Sequence, residues 1–167
     1  MFQKSKAIFL DRDGTINKDT GYVCKIDQLE LLPGVVDALH IFRDSGFLLI
    51  VISNQSGVGR GYFTENEVAA YNQALDSLLE QYGIKITKYY LCFHTPDDHC
   101  VCRKPSPYFI NKAAKKFNID TEMSFLFGDK DSDLECGENG HVVSFLITAE
   151  KSLLFWAKEL KINNFKI

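Results

Sequence analysis

Ala7-Ile8-Phe9-Leu10-Asp11-Arg12-Asp13-Gly14-Thr15 decides the fold. Four apolar residues run directly into charge, the pattern of a short buried strand that stops at the sheet's edge. Two carboxylates two residues apart at a strand end, Asp11 and Asp13, can point into one crevice. Gly14 lets the backbone turn where a side chain would be strained. Two close carboxylates repel, so a neighbouring positive charge is needed. A hard divalent cation such as Mg²⁺, which takes oxygen ligands, supplies one. Taken alone, the same residues also read as an Asp-rich turn that caps a helix.

Working outward, short apolar runs alternate with helical periodicity. Pro33 to Ser45 reads as a helix, with Pro near its start and Gly46 just past its end. Phe47 to Ser53 is a second strand. Thr64-x-x-Glu67 is a capping box opening a helix that reaches Tyr82 and stops at Gly83. Lys88 to Phe93, Ser124 to Phe127 and Val142 to Ile147 are further strands. Pro107 to Phe117 and Ala149 to Leu160 are further helices, and packing accounts for Trp156 in the last. Alternating strands and helices predict an α/β fold: a doubly wound, mostly parallel sheet with helices on both faces. Ligands then sit outside the carboxyl ends of the strands.

Three more polar clusters fall at such ends. Ser53-Asn54-Gln55-Ser56-Gly57 offers a hydroxyl and backbone amides that can cradle phosphate oxygens, or is a polar turn. Arg103-Lys104-Pro105 offers a planar fork and a point charge for phosphate, or is a solvated basic pair before a helix. Gly128-Asp129-Lys130-Asp131-Ser132-Asp133 offers Asp129 as a further metal ligand, or a helix N-cap. Between these lie Cys92-x-His94 and Cys100-x-Cys102, nitrogen and sulfur ligands of the kind that hold structural Zn²⁺ in a closed tetrahedral set. His99 is a spare candidate beside Cys100 that points away. A metal here would fix Lys104, which follows directly. The other reading is buried thiols and a surface histidine. Cys24 and Cys136 stand alone and read as buried or incidental, and His40 as structural or exposed.

Bulk composition narrows the function classes. A chain of 167 residues predicts one domain, 1–167, large enough for a core without disulfides. A net charge of −3 argues against a nucleic-acid-binding face. Apolar runs such as Phe47 to Ile52 are too short to span a membrane, and no secretory segment is visible. Clustered thiols without an export signal fit metal ligation in the cytoplasm. The expected state is a monomer.

The ordered series DxDGT, Ser-Asn, Lys and GDxxxD, from Asp11 to Asp133, resembles the haloacid dehalogenase (HAD) superfamily of phosphatases. Cys-x-His, Cys-x-Cys-Arg-Lys-Pro, Asp19-Thr20-Gly21-Tyr22 and Asn54-Gln55-Ser56-Gly57-Val58-Gly59-Arg60-Gly61 resemble its heptose 1,7-bisphosphate 7-phosphatase family. This resemblance covers residues 7 to 135. It implies Asp11 as nucleophile, Asp13 as general acid and base, and Ser53 and Lys104 as phosphoryl-binding groups. It implies Mg²⁺ on Asp11, Asp129 and the Asp13 carbonyl, with Asp133 orienting Lys104. Substrate recognition falls to Asp19, Thr20, Gly21, Tyr22, Asn54, Gln55, Ser56, Arg103 and Lys130, with Arg60 a contact for the retained phosphate. The implied pathway makes activated heptose for cell-surface polysaccharide. Too few residues separate the Asp pair from Ser53 for a large cap domain, so loops must shape an open pocket. Three alternatives stay open. One is a histidinol-phosphate phosphatase, whose loop after Asn-Gln usually lacks the Arg60-Gly61 pair. Another is a DNA 3′-phosphatase, which normally carries a kinase domain or basic surface. The third is a non-catalytic, metal-stapled binding module.

Overall fold

The computed structural model describes residues 4–162. Five parallel strands, β1 (Lys6–Leu10), β2 (Phe47–Asn54), β3 (Lys88–Cys92), β4 (Phe125–Gly128) and β5 (Val143–Leu146), form one sheet in the order β3-β2-β1-β4-β5. Each crossover carries a helix: α1 (Val35–Asp44), α2 (Glu65–Glu80), α3 (Tyr108–Phe117) and α4 (Asp131–Asn139), with α5 (Leu153–Ile162) closing the described chain. The sheet is therefore doubly wound, as the alternating pattern predicts.

β1 lies at the centre, and the two-residue period of a strand divides its side chains. Ile8 and Leu10 pack with Leu39 and Phe42 of α1, Leu75 and Leu79 of α2, and Leu153 and Ala157 of α5. Ala7 and Phe9 face the other way, toward Ile110 and Ala113 of α3 and Cys136 of α4. That alternation carries past the strand end: the odd-numbered Asp11 and Asp13 share one side, and Arg12 takes the α2 side. After β3 the chain returns to the far edge of β1 to build β4, so strand order reverses between β1 and β4. A crevice at that reversal is where ligands bind in open α/β sheets.

The element boundaries differ from the sequence expectations by a few residues. α2 keeps its predicted capping box: Glu67 N donates to Thr64 Oγ1 at 3.3 Å, and Thr64 N donates to Glu67 Oε2 at 2.7 Å. α1 begins at Val35 rather than Pro33, after Gly34 in a left-handed conformation. α5 begins at Leu153, four residues later than expected. α4 is an element that the sequence reading did not assign. Its residues, DSDLECGEN, carry no apolar stripe, and its interior Gly137 lies so close to Ser144 of β5 that a Cβ would overlap it. Trp156 packs on Phe145, with ring centroids 4.5 Å apart, and its indole N–H donates to the Leu146 carbonyl at 3.0 Å. His40 bonds the Tyr82 carbonyl at 2.7 Å, a structural role.

Between β1 and α1 the one regular element is a single 3-10 turn, Ile26–Gln28. No cap domain is inserted there, and loops border the crevice. Among the described residues no helix is long and apolar enough to cross a membrane.

Phe42 tests the packing of this face. It is 1% exposed, with its ring centroid 5.3 Å from Phe127 and 6.3 Å from Phe47. Phe42→Ala should cost about 3–5 kcal/mol in urea unfolding at an unchanged m-value. A loss under about 1 kcal/mol would place the ring outside the core.

Candidate active site

Asp11 follows β1 and its backbone N–H donates to the Phe127 carbonyl of β4 at 2.9 Å, which locks it over the crevice. Its Oδ1 accepts from the Arg12 N–H at 2.8 Å and lies 3.0 Å from Lys104 Nζ. Lys104 is 4% exposed and also reaches Asp133 Oδ1 at 2.5 Å and the Ile52 carbonyl at 2.9 Å. Burial by itself would lower the Lys104 pKa. The charges of Asp11 and Asp133 more than offset that and hold the group above its ordinary value, as an ammonium.

Asn54 fixes the main chain of Lys104. Its amide oxygen accepts from Lys104 N at 3.1 Å, and its amide nitrogen donates to Lys104 O at 3.2 Å. Asn54, expected to recognise substrate, thus has its amide engaged in placing the lysine. Gln55, 3% exposed, is engaged in the same way: its Nε2 donates to Asp13 Oδ2 at 2.8 Å and to Ser53 Oγ at 2.9 Å.

Gly128 ends β4, and a Cβ there would fall 2.1 Å from Asp133 Cγ. Asp129 follows. Burial raises its pKa, Lys130 opposes, and the charges of Asp11 and Asp133 push it up again, to about 6. Its Oδ1 is buried without a hydrogen-bond partner. Oxygens of Asp11, Asp129 and Asp133 lie within 4.8 Å of one another. A converging set of hard oxygens with an orphaned acceptor fits a hard divalent cation such as Mg²⁺.

Asp11 borders a cleft of about 320 Å³ that Asp129 and Asp133 do not line. Asp11, Asp13, Ser53 and Lys104 line it, as do Asp19, Gly21, Tyr22, Asn54, Gln55, Ser56, Arg103 and Lys130. Lys130 Nζ spans the mouth to Asp19 Oδ2 at 3.3 Å. Gly57 and Ser132, which fall inside the clusters read from the sequence, line it too, as does Phe63, which the sequence reading did not name. Thr20 and Arg60, named as substrate contacts, do not line it. Both are exposed, and the Arg60 N–H turns back to the Ser56 carbonyl at 3.0 Å.

A second cluster joins Cys92 Sγ, His94 Nδ1, Cys100 Sγ and Cys102 Sγ, beside the cleft. Cys92 is 3.6 Å from His94 and from Cys100, and 3.4 Å from Cys102. Cys102 is 3.5 Å from His94 and 3.8 Å from Cys100. These sulfurs are too far apart for disulfides. His99 stays outside the set. Burial raises the Cys92 pKa, and the Cys136 thiol is pushed up to about 12 by burial, as expected of an inert core cysteine. Arg103 Nη1 donates to the His94 carbonyl at 3.1 Å, which ties this loop to the cleft.

Residues 101–161 match the family model described as HAD-hydrolase-like. The D-glycero-beta-D-manno-heptose-1,7-bisphosphate 7-phosphatase of Helicobacter pylori is 40% identical over 154 residues, which span 92% of this chain and 88% of that protein. The chain belongs to the heptose-1,7-bisphosphate 7-phosphatase family of HAD-like hydrolases. Another member of the family, the D-glycero-alpha-D-manno-heptose-1,7-bisphosphate 7-phosphatase of Photorhabdus laumondii, is 39% identical over 146 residues, 83% of this chain and 80% of that protein. The fold also matches a crystal structure of D,D-heptose 1,7-bisphosphate phosphatase from B. bronchiseptica complexed with magnesium and phosphate. The TM-score is 0.82 at 26% identity, over 95% of this chain and 99% of that one. The resemblance that the ordered clusters carry therefore holds at both superfamily and family level.

Gly128→Ala tests the close approach of β4 to Asp133. The added methyl should push the carboxylate off Lys104 and lower phosphate release from 4-nitrophenyl phosphate about 10²-fold, with the circular dichroism spectrum unchanged. Full activity would mean that the Asp133 contact is dispensable.

Proposed function

We propose that this protein hydrolyses the C7 phosphate ester of D-glycero-D-manno-heptose 1,7-bisphosphate through an aspartyl-phosphate on Asp11. The observation that carries the reading is the buried Lys104 ammonium 3.0 Å from Asp11 Oδ1, both bordering a cleft that Ser53 and Asp13 also line. Both Asp11 contacts fall on Oδ1, so Oδ2 is the oxygen left for attack. As Oδ2 bonds to phosphorus, the P–O ester bond breaks. Its electron pair stays on the sugar oxygen, which takes a proton from Asp13. Asp13, now a carboxylate, accepts a proton from water as the water oxygen bonds to phosphorus and the Asp11–phosphorus bond breaks. Ser53 and Lys104 offset charge on the phosphoryl oxygens. Asp11, Asp129 and the Asp13 carbonyl would hold Mg²⁺, which supplies charge neutralisation at those oxygens. Asp19, Gly21, Tyr22, Arg103 and Lys130 face the rest of the sugar phosphate.

A panel of substrates tests this: both anomers of the heptose bisphosphate, fructose 1,6-bisphosphate, histidinol phosphate and a 3′-phosphorylated oligonucleotide, each with Mg²⁺. The expected result is a preference for one heptose anomer that Asp11→Asn abolishes. Preference for histidinol phosphate would keep the mechanism and overturn the substrate.

We further infer that Cys92, His94, Cys100 and Cys102 hold a structural Zn²⁺. The edges of a regular tetrahedron are about 1.6 times the bond length, so sulfur ligands at about 2.3 Å stand about 3.8 Å apart. The separations of 3.4–3.8 Å come close to this. Metal analysis should find about one zinc per chain. Cys102→Ser should lose it and lower Tm, with a smaller fall in kcat/KM because Arg103 is displaced. Zinc-free wild-type protein of unchanged Tm would overturn the assignment.

A further inference from the structure

Arg12 lies between the two catalytic carboxylates yet is fully buried. Its guanidinium stacks over Tyr71 of α2, 4.5 Å from the ring centroid. Nη1 donates to Asn72 Oδ1 at 2.9 Å. Nε and Nη2 form a fork on Asp13, to Oδ1 and Oδ2, each at 2.9 Å. Nη2 also reaches the Val23 carbonyl at 2.7 Å and Gln55 Oε1 at 3.1 Å. Asp13 receives two further donors, Asn17 Nδ2 on Oδ1 at 2.9 Å and Gln55 Nε2 on Oδ2 at 2.8 Å. Each oxygen thus accepts two N–H groups, which fills the lone pairs in the carboxylate plane. A proton can sit on Asp13 only when one donor withdraws. The fork is planar and buried, so it stays. Asn17 Nδ2 and Gln55 Nε2 each have a second acceptor, the Lys18 carbonyl at 3.0 Å and Ser53 Oγ at 2.9 Å, but of the two only Gln55 lines the cleft, so it is the donor that yields.

We propose that Arg12 is a positioning residue for proton transfer. It fixes the plane of the Asp13 carboxyl group from behind, while the Gln55 contact on Oδ2 exchanges for the proton that Asp13 delivers to the leaving oxygen. This rests on the role given to Asp13 above. The step moves one proton from Asp13 Oδ2 to the ester oxygen as the P–O bond breaks and the Asp11–phosphorus bond forms.

The test separates a leaving group that needs a proton from one that does not. Wild type, Arg12→Lys, Asn72→Ala and Asp13→Asn are assayed with Mg²⁺ on the heptose bisphosphate at steady state. The same proteins, in excess, are mixed with 4-nitrophenyl phosphate for a single turnover. Arg12→Lys keeps the charge and loses the fork. It should lower kcat on the sugar about 10²-fold, while KM and the nitrophenolate burst each stay within about threefold of wild type. Asn72→Ala, which removes only the outer acceptor, should show the same pattern at about a tenth of the size and serves if Arg12→Lys does not fold. An unchanged kcat in Arg12→Lys, or a burst that falls in parallel with kcat in either variant, would overturn the proposal. Asp13→Asn separates the two levels: if it too spares neither or both, the acid role of Asp13 fails, and Arg12 has no acid to position.

Discussion

The carboxyl ends of β1 and β4 bring Asp11, Asp129 and Asp133 within 4.8 Å, and Lys104 is the buried cation set among them. Without it, three acidic groups over a hydrophobic sheet would repel and shed charge. With it, the Lys104 side chain, 3% exposed, is matched on both sides, because removing either partner of such a pair leaves a buried charge alone. The rest of the site follows from holding this ammonium. Asn54, at the end of β2, bonds both backbone groups of the lysine. Gly128 brings Asp133 close enough to β4 to meet it. The Cys92–Cys102 loop leads directly into it along the chain.

This requirement also explains α4. Asp133 must lie in the first turn of a helix that starts immediately after β4, and its Oδ2 caps that turn by accepting from Lys130 N at 3.1 Å. One carboxylate caps the helix with one oxygen and pairs Lys104 with the other. Helix stability and charge placement are therefore one arrangement, which an apolar stripe was not needed to secure.

Much of this was legible in the sequence because chemistry interrupts pattern. Asp11, Ser53 and Asp129 each end or follow an apolar run, and such breaks are visible at short range. The four metal-ligand types fall within 92–102, so their grouping needed no fold. What was hidden depends on distant partners. α4 is built from the residues that form the site, so its helical character was masked by their polarity. Arg12 meets Asn72 and Gln55, 60 and 43 positions away, and only the strand's alternation could have pointed to it. If Asp11 and Asp13 share the cleft side, the residue between them must turn toward a covered face. Thr20 and Arg60 went the other way: they lie inside motif stretches whose neighbours line the cleft, yet both stay exposed, since Gly21 and Gly61 turn the chain at these points.

A cleft without a cap domain needs another source of order, and the buried guanidinium supplies it. Three segments meet at Arg12: the DxD turn through Asp13, the β2 loop through Gln55, and the 19–24 loop through the Val23 carbonyl. None of them rests on an inserted domain, and the 19–24 loop carries Gly21 and Tyr22, which line the cleft. A planar donor group with fixed angles sets the spacing of all three at once, which a flexible ammonium cannot do. α2 closes the far side with Tyr71 and Asn72, so the guanidinium cannot turn toward water. Asp13 and the 19–24 loop are thus referred to one rigid point inside the protein. These parts are held in register without a closing domain.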